Sequence, residues 1–286
     1  MSIGKIAIVG CGMAASSLGP ALKKSGVNLA FVFDRNLPKA QLLAALCGAK
    51  ACSSISDISK AQTFILAVPD NAIAEVCALL PEDLLGKNVL HLSGSRPLST
   101  LSGARERGAN VGSWHPAQTL GHLTDFHSVS FGVTAEGVLR DDLFKLTKSL
   151  GARPVSINEE QKSLYHAATC LASNYVCTML YMAENLLDKV GLSAEDSKNI
   201  LDPLLSQAQI NISKFGAQKA LTGPISRGDT ATIEQHLQAL SKEMPHYLPA
   251  YAHVGIITVD MVQTFNPDIK RILQKSTDNE KKEENN

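Results

Sequence analysis

The sequence predicts an α/β domain with a largely parallel sheet, followed by an all-helical domain. Two observations lead to this fold class. In the first half of the 286-residue chain, short apolar runs alternate with amphipathic stretches, which is the pattern of βαβ units with right-handed crossovers. From Glu159 onward only helical patterns remain. A chain of this length corresponds to about two domains of ordinary size.

The predicted sheet is built from apolar runs of strand length that are rich in Val, Ile, Leu and Phe. These runs lie at Lys5–Val9, Leu29–Phe33, Thr63–Val68, Asn88–Leu92, Asn110–Trp114, Val129–Val133 and Arg153–Ile157. Helical patterns lie between several of them, at Met13–Ser25, Asn71–Leu80 and Leu98–Arg107. We therefore assign residues 1–157 to the α/β domain.

The helical part begins with the segment Glu159–Val190, which can form one helix of about 32 residues that ends at Gly191. Further helices are predicted at residues 194–214, 230–242 and 246–263. We assign residues 158–274 to a helical domain for substrate binding and dimerisation. The polar residues 275–286 are predicted to be a disordered tail.

Composition narrows the classes of function. Apolar residues form 44% of the chain, and Lys+Arg and Asp+Glu number 27 each, so the formal charge is zero. This balance predicts no surface for nucleic acids or anionic membranes. The six cysteines show no CxxC or Cys/His metal spacing, so we expect free thiols, no metal site and a cytoplasmic protein. No apolar run is long enough to predict a transmembrane helix.

A glycine-rich turn follows the first predicted strand. The G-x-G-x-x-A turn consists of Gly10, Cys11, Gly12, Met13, Ala14 and Ala15. Gly10 permits a tight turn, Gly12 lets the backbone approach a pyrophosphate, and the small Ala15 lets the helix pack against the strand. The start of that helix offers N–H groups to phosphates. This context predicts a Rossmann-like dinucleotide-binding domain, and a glycine turn in another kind of α/β protein is the alternative.

The end of the second predicted strand concerns the choice of cofactor. Asp34 lies 22 residues after Gly12, where a carboxylate would hold the adenosine ribose hydroxyls of NAD. The neighbouring Arg35 would instead pair with the 2′-phosphate of NADP, unless it is a solvated loop residue. The sequence therefore predicts NAD or NADP and leaves the choice open.

Ligands of an open parallel sheet bind beyond the carboxyl ends of its strands, so the residues after each strand are candidates for the site. Val68 ends one predicted strand and Pro69 and Asp70 follow it; these three would line the cofactor, together with Ser93. Ser93 and His115 follow the next two strands, and both can donate or exchange a proton near a carbonyl or imine. A turn serine and a loop histidine bound to backbone are the ordinary alternatives.

A polar stripe runs along the predicted long helix. It consists of Lys162, His166, Thr169 and Ser173. At 100° per residue Tyr165 points aside from this stripe. Asn174 lies about 18 Å along the axis from Lys162, so the two cannot both touch the reacting atom of one small substrate. His166 lies between them, and a purely structural helix histidine is its alternative.

A second polar segment, Leu221–Thr230, lies in the helical domain. Arg227 can hold a substrate carboxylate or phosphate through its guanidinium. Asp229 is a further candidate for substrate binding, although it is also well placed as the N-cap of the helix that begins at Thr230.

Six motifs in order carry a resemblance to a known family. They are GCGMAA, AVPD (Ala67–Asp70), HLSGS (His91–Ser95), SWHPAQTL (Ser113–Leu120), YHAA…SN (Tyr165–Asn174) and LTGPISRGD (Leu221–Asp229). Together they resemble an uncharacterised family that joins a Rossmann-like domain to a C-terminal helical domain of unknown function. More distantly, the layout is similar to ketopantoate reductase, pyrroline-5-carboxylate reductase, and the 6-phosphogluconate and β-hydroxyacid dehydrogenases.

The resemblance implies reduction of a C=O or C=N bond, or the reverse, with NAD(P)H. It also implies a helical domain like the C-terminal domain of 6-phosphogluconate dehydrogenase, dimers formed through it, and an active site in the interdomain cleft. The β-hydroxyacid dehydrogenases place a catalytic Lys and an Asn four residues apart. If Lys162 matches that Lys, His166 stands at the Asn position; if Asn174 matches the Asn, Cys170 stands at the Lys position. The acid–base groups therefore differ from that pattern or are absent.

The sequence thus predicts an NAD(P)-dependent oxidoreductase acting on a small, carboxylate-bearing metabolite. His166 is the first choice of proton donor, because imidazole titrates near neutral pH. Ser93 and His115 would polarise the reacting atom, and Lys162 and Asn174 are further catalytic candidates. The alternative is an NAD(P)-binding sensor or scaffold without turnover.

Overall fold

Contacts within the chain divide it into two units, Met1–Asn174 and Tyr175–Asn286, called the first and second unit below. The computed structural model describes residues 3–121, 124–262 and 267–283, the last seven by their backbone. The boundary predicted at residue 157 thus lies 17 residues before the boundary between the units. The helix after residue 161 belongs with the sheet because its side chains bond to strand residues, as described below.

The first unit contains one eight-stranded sheet in the order β3-β2-β1-β4-β5-β6-β7-β8, as far as the chain is described. The strands are β1 (Ile6–Val9), β2 (Leu29–Phe33), β3 (Lys50–Cys52), β4 (Thr63–Leu66), β5 (Asn88–His91), β6 (Asn110–Pro116), β7 (Ser130–Thr134) and β8 (Arg153–Ser156). Neighbouring strands are parallel except β6 and β7, which are antiparallel. The predicted α/β fold with a largely parallel sheet is confirmed.

Helices cover both faces of this sheet. They are α1 (Met13–Lys24), α2 (Leu37–Cys47), α3 (Ile73–Ala78), α4 (Ser102–Glu106), α5 (Gly137–Ser149) and α6 (Lys162–Ala172), with 3₁₀ turns at Ile55–Ile58, Asp70–Ala72, Leu98–Leu101 and Glu159–Gln161. Alternate residues of β1 enter different cores, since successive side chains of a strand point to opposite faces. Ile6 and Ile8 belong to one core and Ala7 and Val9 to the other.

The single long helix predicted at Glu159–Val190 is wrong. The helix is interrupted at Ser173, whose backbone angles (φ −131°, ψ −74°) are not helical, and whose hydroxyl bonds to the Thr119 hydroxyl at 2.8 Å. Two helices result, α6 and α7 (Asn174–Lys189). A serine is compatible with a helix interior, so its position alone gave no signal of the break.

The second unit is helical throughout its described residues. After α7 it contains α8 (Ala194–Phe215), α9 (Ala217–Ala220), α10 (Pro224–Arg227), α11 (Thr230–Glu243), a 3₁₀ turn (Pro245–Tyr247), α12 (Leu248–Met261) and α13 (Pro267–Glu283). Its core is formed by α11, α12 and α13, with Ile233, Ala252 and Leu273 fully buried. None of the helices described in the chain is both long and apolar enough to cross a membrane.

Residues of the predicted tail as far as Glu283 continue α13 in the structure. Ile269 and Leu273, one helical turn apart, anchor the start of this helix in the core. The polar residues that follow include Lys, Glu and Gln, which are good helix formers, so the helix extends beyond its anchored part. Residues 284–286 of the predicted tail lie outside the described residues.

Candidate active site

The glycine turn has the shape of a phosphate cradle. Gly10 has φ +97°, and a Cβ there would lie 2.5 Å from the Ala67 carbonyl oxygen, so only glycine fits. A Cβ at Gly12 would meet no atom within 4 Å, and no side chain caps α1. The N–H groups at the start of α1 therefore face open space that an anion can fill. A cleft of about 510 Å³ opens beside the turn, lined in part by Met13 and Lys39.

The Asp34 carboxylate holds the backbone of this turn. One oxygen accepts a hydrogen bond from the Cys11 N–H at 2.8 Å, and the other accepts one from the Asn36 N–H at 2.8 Å. The role predicted for Asp34 is to bind ribose hydroxyls, and the structure adds a role in stabilising the glycine turn. Arg35 and Lys39, just beyond β2, are exposed.

Ser93 is engaged in a network with Asp70. Its hydroxyl donates to Asp70 Oδ2 at 2.7 Å and accepts from the backbone N–H groups of Ser95 and Arg96 at 3.3 and 3.0 Å. Because its one proton and its lone pairs are used, Ser93 cannot polarise a substrate in this arrangement. These bonds make Ser93 a residue that shapes the turn after β5, and its polarising role stays a prediction. Val68 and Pro69 precede this network at the end of β4.

Lys162 lies behind this turn, with 3% of its surface exposed. Its ammonium donates to the Ser113 hydroxyl at 2.7 Å and to the Ser93 carbonyl at 3.2 Å. Burial lowers the pKa of Lys162 to about 8, although the charges of Glu159 and Asp70 oppose the shift. A buried amine of this kind ties α6 to the ends of β5 and β6. The geometry does not support its expected direct contact with substrate.

The rings of His115, Tyr165 and His166, which can all carry a proton, lie together beside the turn after β5. Nδ1 of His115, near the end of β6, lies 2.8 Å from the Tyr165 hydroxyl oxygen, and the two rings are edge-on with centroids 5.6 Å apart. The His166 ring lies 5.8 Å from the His115 ring, centroid to centroid. His166 and Tyr165 are half-buried neighbours on α6. Two of the predicted catalytic residues, His115 and His166, thus lie next to each other.

The rings fit because two glycines beside them, Gly94 and Gly132, have no side chains. A Cβ at Gly94 would lie 2.6 Å from His166 Cδ2 and 2.9 Å from His115 Nε2. A Cβ at Gly132, which pairs with His115 across β6 and β7, would lie 2.7 Å from the Tyr165 hydroxyl. All three distances are shorter than a Cβ contact in a real protein, so a side chain at either glycine would displace a ring.

The protonation states of the rings follow from their surroundings. Burial, with the charges of His166 and Lys162, lowers the pKa of His115 to about 4, so its imidazole is neutral at pH 7. Burial raises the pKa of Tyr165, while the Gly132 backbone opposes the shift, so the phenol keeps its proton.

The remaining candidates lie outside this cluster of rings. Asn174 is exposed, at the first residue of α7. Arg227 is exposed at the end of α10, in the second unit. Asp229 caps α11: its oxygens accept from the Thr232 N–H at 3.1 Å and hydroxyl at 2.7 Å, which confirms the N-cap and favours it over substrate binding. Among the described residues, no group of three His, Cys, Asp or Glu side chains could hold a metal ion.

Three residues near the rings were not predicted from the sequence: Tyr165, Ser113 and Gly94. Tyr165 lies off the polar stripe of the predicted helix, and the sequence does not show which face of that helix meets the sheet. Both other residues stand within the predicted strand and turn signals, beside the candidates Ser93 and His115. The adjacency of Tyr165 to His166 was the available signal.

Comparison with known families supports two domains. Residues 5–93 match the model of a family described as NADP oxidoreductase, coenzyme F420-dependent. Residues 129–257 match the model of a domain of unknown function, DUF2520. No curated protein matches the chain in sequence.

Solved structures share the fold. A Bacteroides fragilis protein, provisionally described as an NADP oxidoreductase, is 24% identical and has a TM-score of 0.72, over 88% of this chain and 96% of its own. A reductive aminase from Aspergillus terreus, in complex with NADPH and ethyl-5-oxohexanoate, is 19% identical, with a TM-score of 0.65 over 96% and 94%. An imine reductase from Myxococcus stipitatus, in complex with NADP⁺, is 17% identical, with a TM-score of 0.66 over 88% and 92%.

These findings agree with the predicted class of cofactor, NADP or NAD. The two matches, one to an NADP oxidoreductase family and one to a C-terminal domain of unknown function, confirm the resemblance drawn from the motifs.

Proposed function

We propose that this protein is an NADP-dependent oxidoreductase that transfers a hydride to or from a polar C=N or C=O carbon of a small metabolite. One observation carries the proposal: a single edge of one sheet holds both a phosphate-binding turn, after β1, and three proton-bearing rings, around the end of β6. A dinucleotide lying along that edge would bring its nicotinamide to the rings.

Contacts between the ends of successive strands support this arrangement. Gly10, after β1, packs against the end of β4. Asp70, after β4, accepts a hydrogen bond from Ser93, after β5. Gly94 in turn lies against His115, near the end of β6. The edge is therefore continuous from the turn to the rings, as a dinucleotide site requires.

We propose that the cofactor is NADP rather than NAD. Both oxygens of Asp34 already accept backbone hydrogen bonds, so this carboxylate is held toward the turn. Arg35 and Lys39 are exposed just beyond it and carry the positive charge that a 2′-phosphate needs.

Titration calorimetry with NADPH and NADH tests the cofactor directly. We expect NADPH to bind at least tenfold more tightly than NADH. R35A should remove most of that difference and leave NADH binding within about twofold, because only the 2′-phosphate contact is lost. The exposed Arg105 on α4 supplies the matched control, R105A. Absence of binding by either dinucleotide would remove the oxidoreductase proposal.

The protein's part in the reaction is the transfer and placement of a proton. When bound, the nicotinamide supplies or accepts the hydride. His115 is neutral at pH 7, so it serves as a hydrogen-bond partner rather than a proton source. His166, half-buried beside Gly94, is the proposed proton donor to the reacting nitrogen or oxygen.

A panel of imines, ketones and keto acids, followed by NADPH oxidation, tests turnover. H166A is expected to lower kcat by roughly 10²–10⁴-fold, with NADPH affinity unchanged. H253A, at an exposed histidine of the second unit, should match the wild type. Tight NADPH binding without oxidation by any member of the panel would favour the alternative, a sensor or scaffold.

We further propose that the substrate bears a carboxylate held by Arg227. The support is the exposed guanidinium of Arg227, within a segment whose neighbouring acid, Asp229, is engaged in capping. R227A should raise KM for keto acids about tenfold and leave KM for neutral ketones unchanged. Equal effects on both substrate types would contradict the proposal.

We also propose that the protein is a cytoplasmic homodimer formed through its helical domain. The cysteines all have free thiols, which supports a reducing compartment. Among the described residues, α7 has no buried side chain and α8 has only Ser197. Large apolar side chains are exposed on both helices: Tyr175, Val176, Met179, Tyr181, Ile200, Leu204, Leu205, Ile210, Ile212 and Phe215. Such a surface is typical of one covered by a second copy.

Light scattering after size-exclusion chromatography measures the assembly. We expect twice the 30.5 kDa mass of one chain. L204K, at a side chain that is 64% exposed, should shift the protein toward one chain, because a charge would be buried in the interface. L85K, at a 79% exposed residue of the first unit, is the matched control. A monomeric wild type would contradict the dimer.

A further inference from the structure

We propose that Tyr165 is a positioning residue that holds His115 in the neutral form with its proton on Nε2, so that His115 meets the substrate as a hydrogen-bond donor. The role in catalysis rests on the proposed oxidoreductase function. The tautomer itself is a property of the protein alone.

The contact between the two rings is direct and built into the sheet. The Tyr165 hydroxyl lies 2.8 Å from His115 Nδ1, and the rings meet at 89°. Tyr165 reaches this point only because Gly132, the partner of His115 across β6 and β7, has no side chain. The strand pairing thus sets the distance between the phenol and the imidazole.

The number of protons shared by the Tyr165 hydroxyl and the neutral His115 imidazole indicates which nitrogen of His115 is protonated. A neutral imidazole has one N–H, so one ring nitrogen donates and the other accepts. Tyr165 keeps its phenolic proton, and His115 Nδ1 is the ring nitrogen that lies 2.8 Å from its hydroxyl oxygen, so we assign the phenol as the donor and Nδ1 as the acceptor. A phenol O–H that donates to Nδ1 leaves the histidine proton on Nε2.

The Nε2 side of His115 faces the space of the site. Nε2 has no hydrogen-bond partner among the described residues and is not one of their fully buried polar atoms, and the Gly94 backbone packs beside it, since a Cβ there would lie 2.9 Å away. His166 borders the same space, since its Cδ2 would lie 2.6 Å from that Cβ. A reacting oxygen or nitrogen there would accept a hydrogen bond from His115 Nε2–H while His166 supplies the proton. Tyr165 acts through His115 and does not touch the reacting atom.

Nitrogen-15 NMR of the histidine side chains measures the tautomer without substrate or cofactor. The wild-type protein is labelled at histidine, and the His115 signals are identified by their loss in H115Q. At pH 7 we expect protonated Nε2 and bare Nδ1. In Y165F we expect a mixture of the two tautomers, because the donor to Nδ1 is gone. A wild-type His115 with its proton on Nδ1 would overturn the proposal, even if Y165F failed to fold.

The second unit contains a matched control pair. His236 Nδ1 lies 2.8 Å from the Tyr251 hydroxyl, with ring centroids 5.9 Å apart at 84°. Y251F should change the tautomer of His236 and leave His115 and turnover unchanged. A changed His115 signal in Y251F would show that the effect is not local, and would overturn the assignment.

A double-mutant cycle separates positioning from folding. Y165F should lower kcat on the order of tenfold with little change in KM, since one hydrogen bond that orients the donor is lost. The Gln side chain in H115Q donates through its amide NH₂ group, which has no tautomers. Adding Y165F to H115Q should therefore lower kcat by less than about twofold. An equal loss in both backgrounds would contradict the coupling. If no substrate is turned over, the proposed function fails, while the NMR measurement still decides the tautomer.

Discussion

Protonation of His91 is expected to destabilise the first unit as the pH falls below neutrality. His91, the last residue of β5, has no exposed surface, and its Nδ1 accepts a hydrogen bond from the Ser93 N–H at 3.2 Å. Burial, assisted by the charge of Lys162 and opposed by that of Asp70, lowers the pKa of His91 from 6.5 to about 4. The unfolded chain therefore takes up a proton near pH 6.5 that the folded protein takes up only near pH 4.

The size of the effect follows from this difference. Between the two pKa values the unfolded state binds more protons, so the free energy of unfolding falls as the pH falls. The contribution of His91 is complete above pH 6.5 and is lost toward pH 4. At about 1.4 kcal/mol per pKa unit, the complete loss is about 3 kcal/mol, of which about 2 kcal/mol falls between pH 7 and pH 5.

Urea unfolding at pH 7, 6 and 5, followed by Trp114 fluorescence, measures this loss. Trp114 is fully buried in the first unit and is the only tryptophan. H91N keeps an oxygen that can accept from the Ser93 N–H but cannot titrate. We expect the wild type to lose about 2 kcal/mol more than H91N between pH 7 and pH 5. H127N, at an exposed histidine, should follow the wild type. Parallel losses in the wild type and H91N would mean that the buried imidazole does not titrate as argued.

Three further substitutions test other parts of the structure. G94A should lower kcat about 100-fold with dinucleotide affinity unchanged in calorimetry, because the new Cβ would lie 2.6 Å from His166 Cδ2; normal turnover would contradict the packing. D229A should reduce the free energy of unfolding by about 1 kcal/mol through loss of the α11 cap, and an unchanged urea midpoint would exclude the cap as a stabilising contact. T147V removes the acceptor of the Trp114 Nε1–H bond at 2.8 Å and should cost about 1–3 kcal/mol in urea unfolding, whereas a neutral result would place another acceptor there.

The sheet could be predicted from sequence because its strands are short, apolar and bounded by turn signals. Both β1 and β5 fall within the predicted runs, since strands buried on both faces are continuously apolar. The strand β3 has three residues, including Lys50 at the exposed edge of the sheet, and carries no such pattern. The break at Ser173 could not be predicted from the local sequence either, because the Ser173 hydroxyl bonds to a hydroxyl of Thr119, more than 50 residues away.

The site was predicted in part, for a physical reason. The rule that ligands bind beyond the carboxyl ends of strands identified the positions of Asp70, Ser93 and His115. The rule does not predict which hydrogen bonds each hydroxyl or carboxylate makes. Ser93 gives its proton to Asp70, and Lys162 is turned into the protein, because of contacts between elements that are distant in sequence.

Gly94 and Gly132, the two glycines beside the rings, can be used to decide which related proteins share this reaction geometry. Because Gly94 and Gly132 have no side chains, they leave space for the rings of His115, His166 and Tyr165. We call this space the chamber; it does not depend on which ring-bearing residues fill it. A related chain could therefore exchange His115 or His166 for another proton carrier and retain the chamber, provided that both glycines remain. A chain with a side chain at either glycine must have rebuilt the chamber itself. The presence of both glycines is thus a better marker of a shared reaction geometry than the identity of any single acid or base.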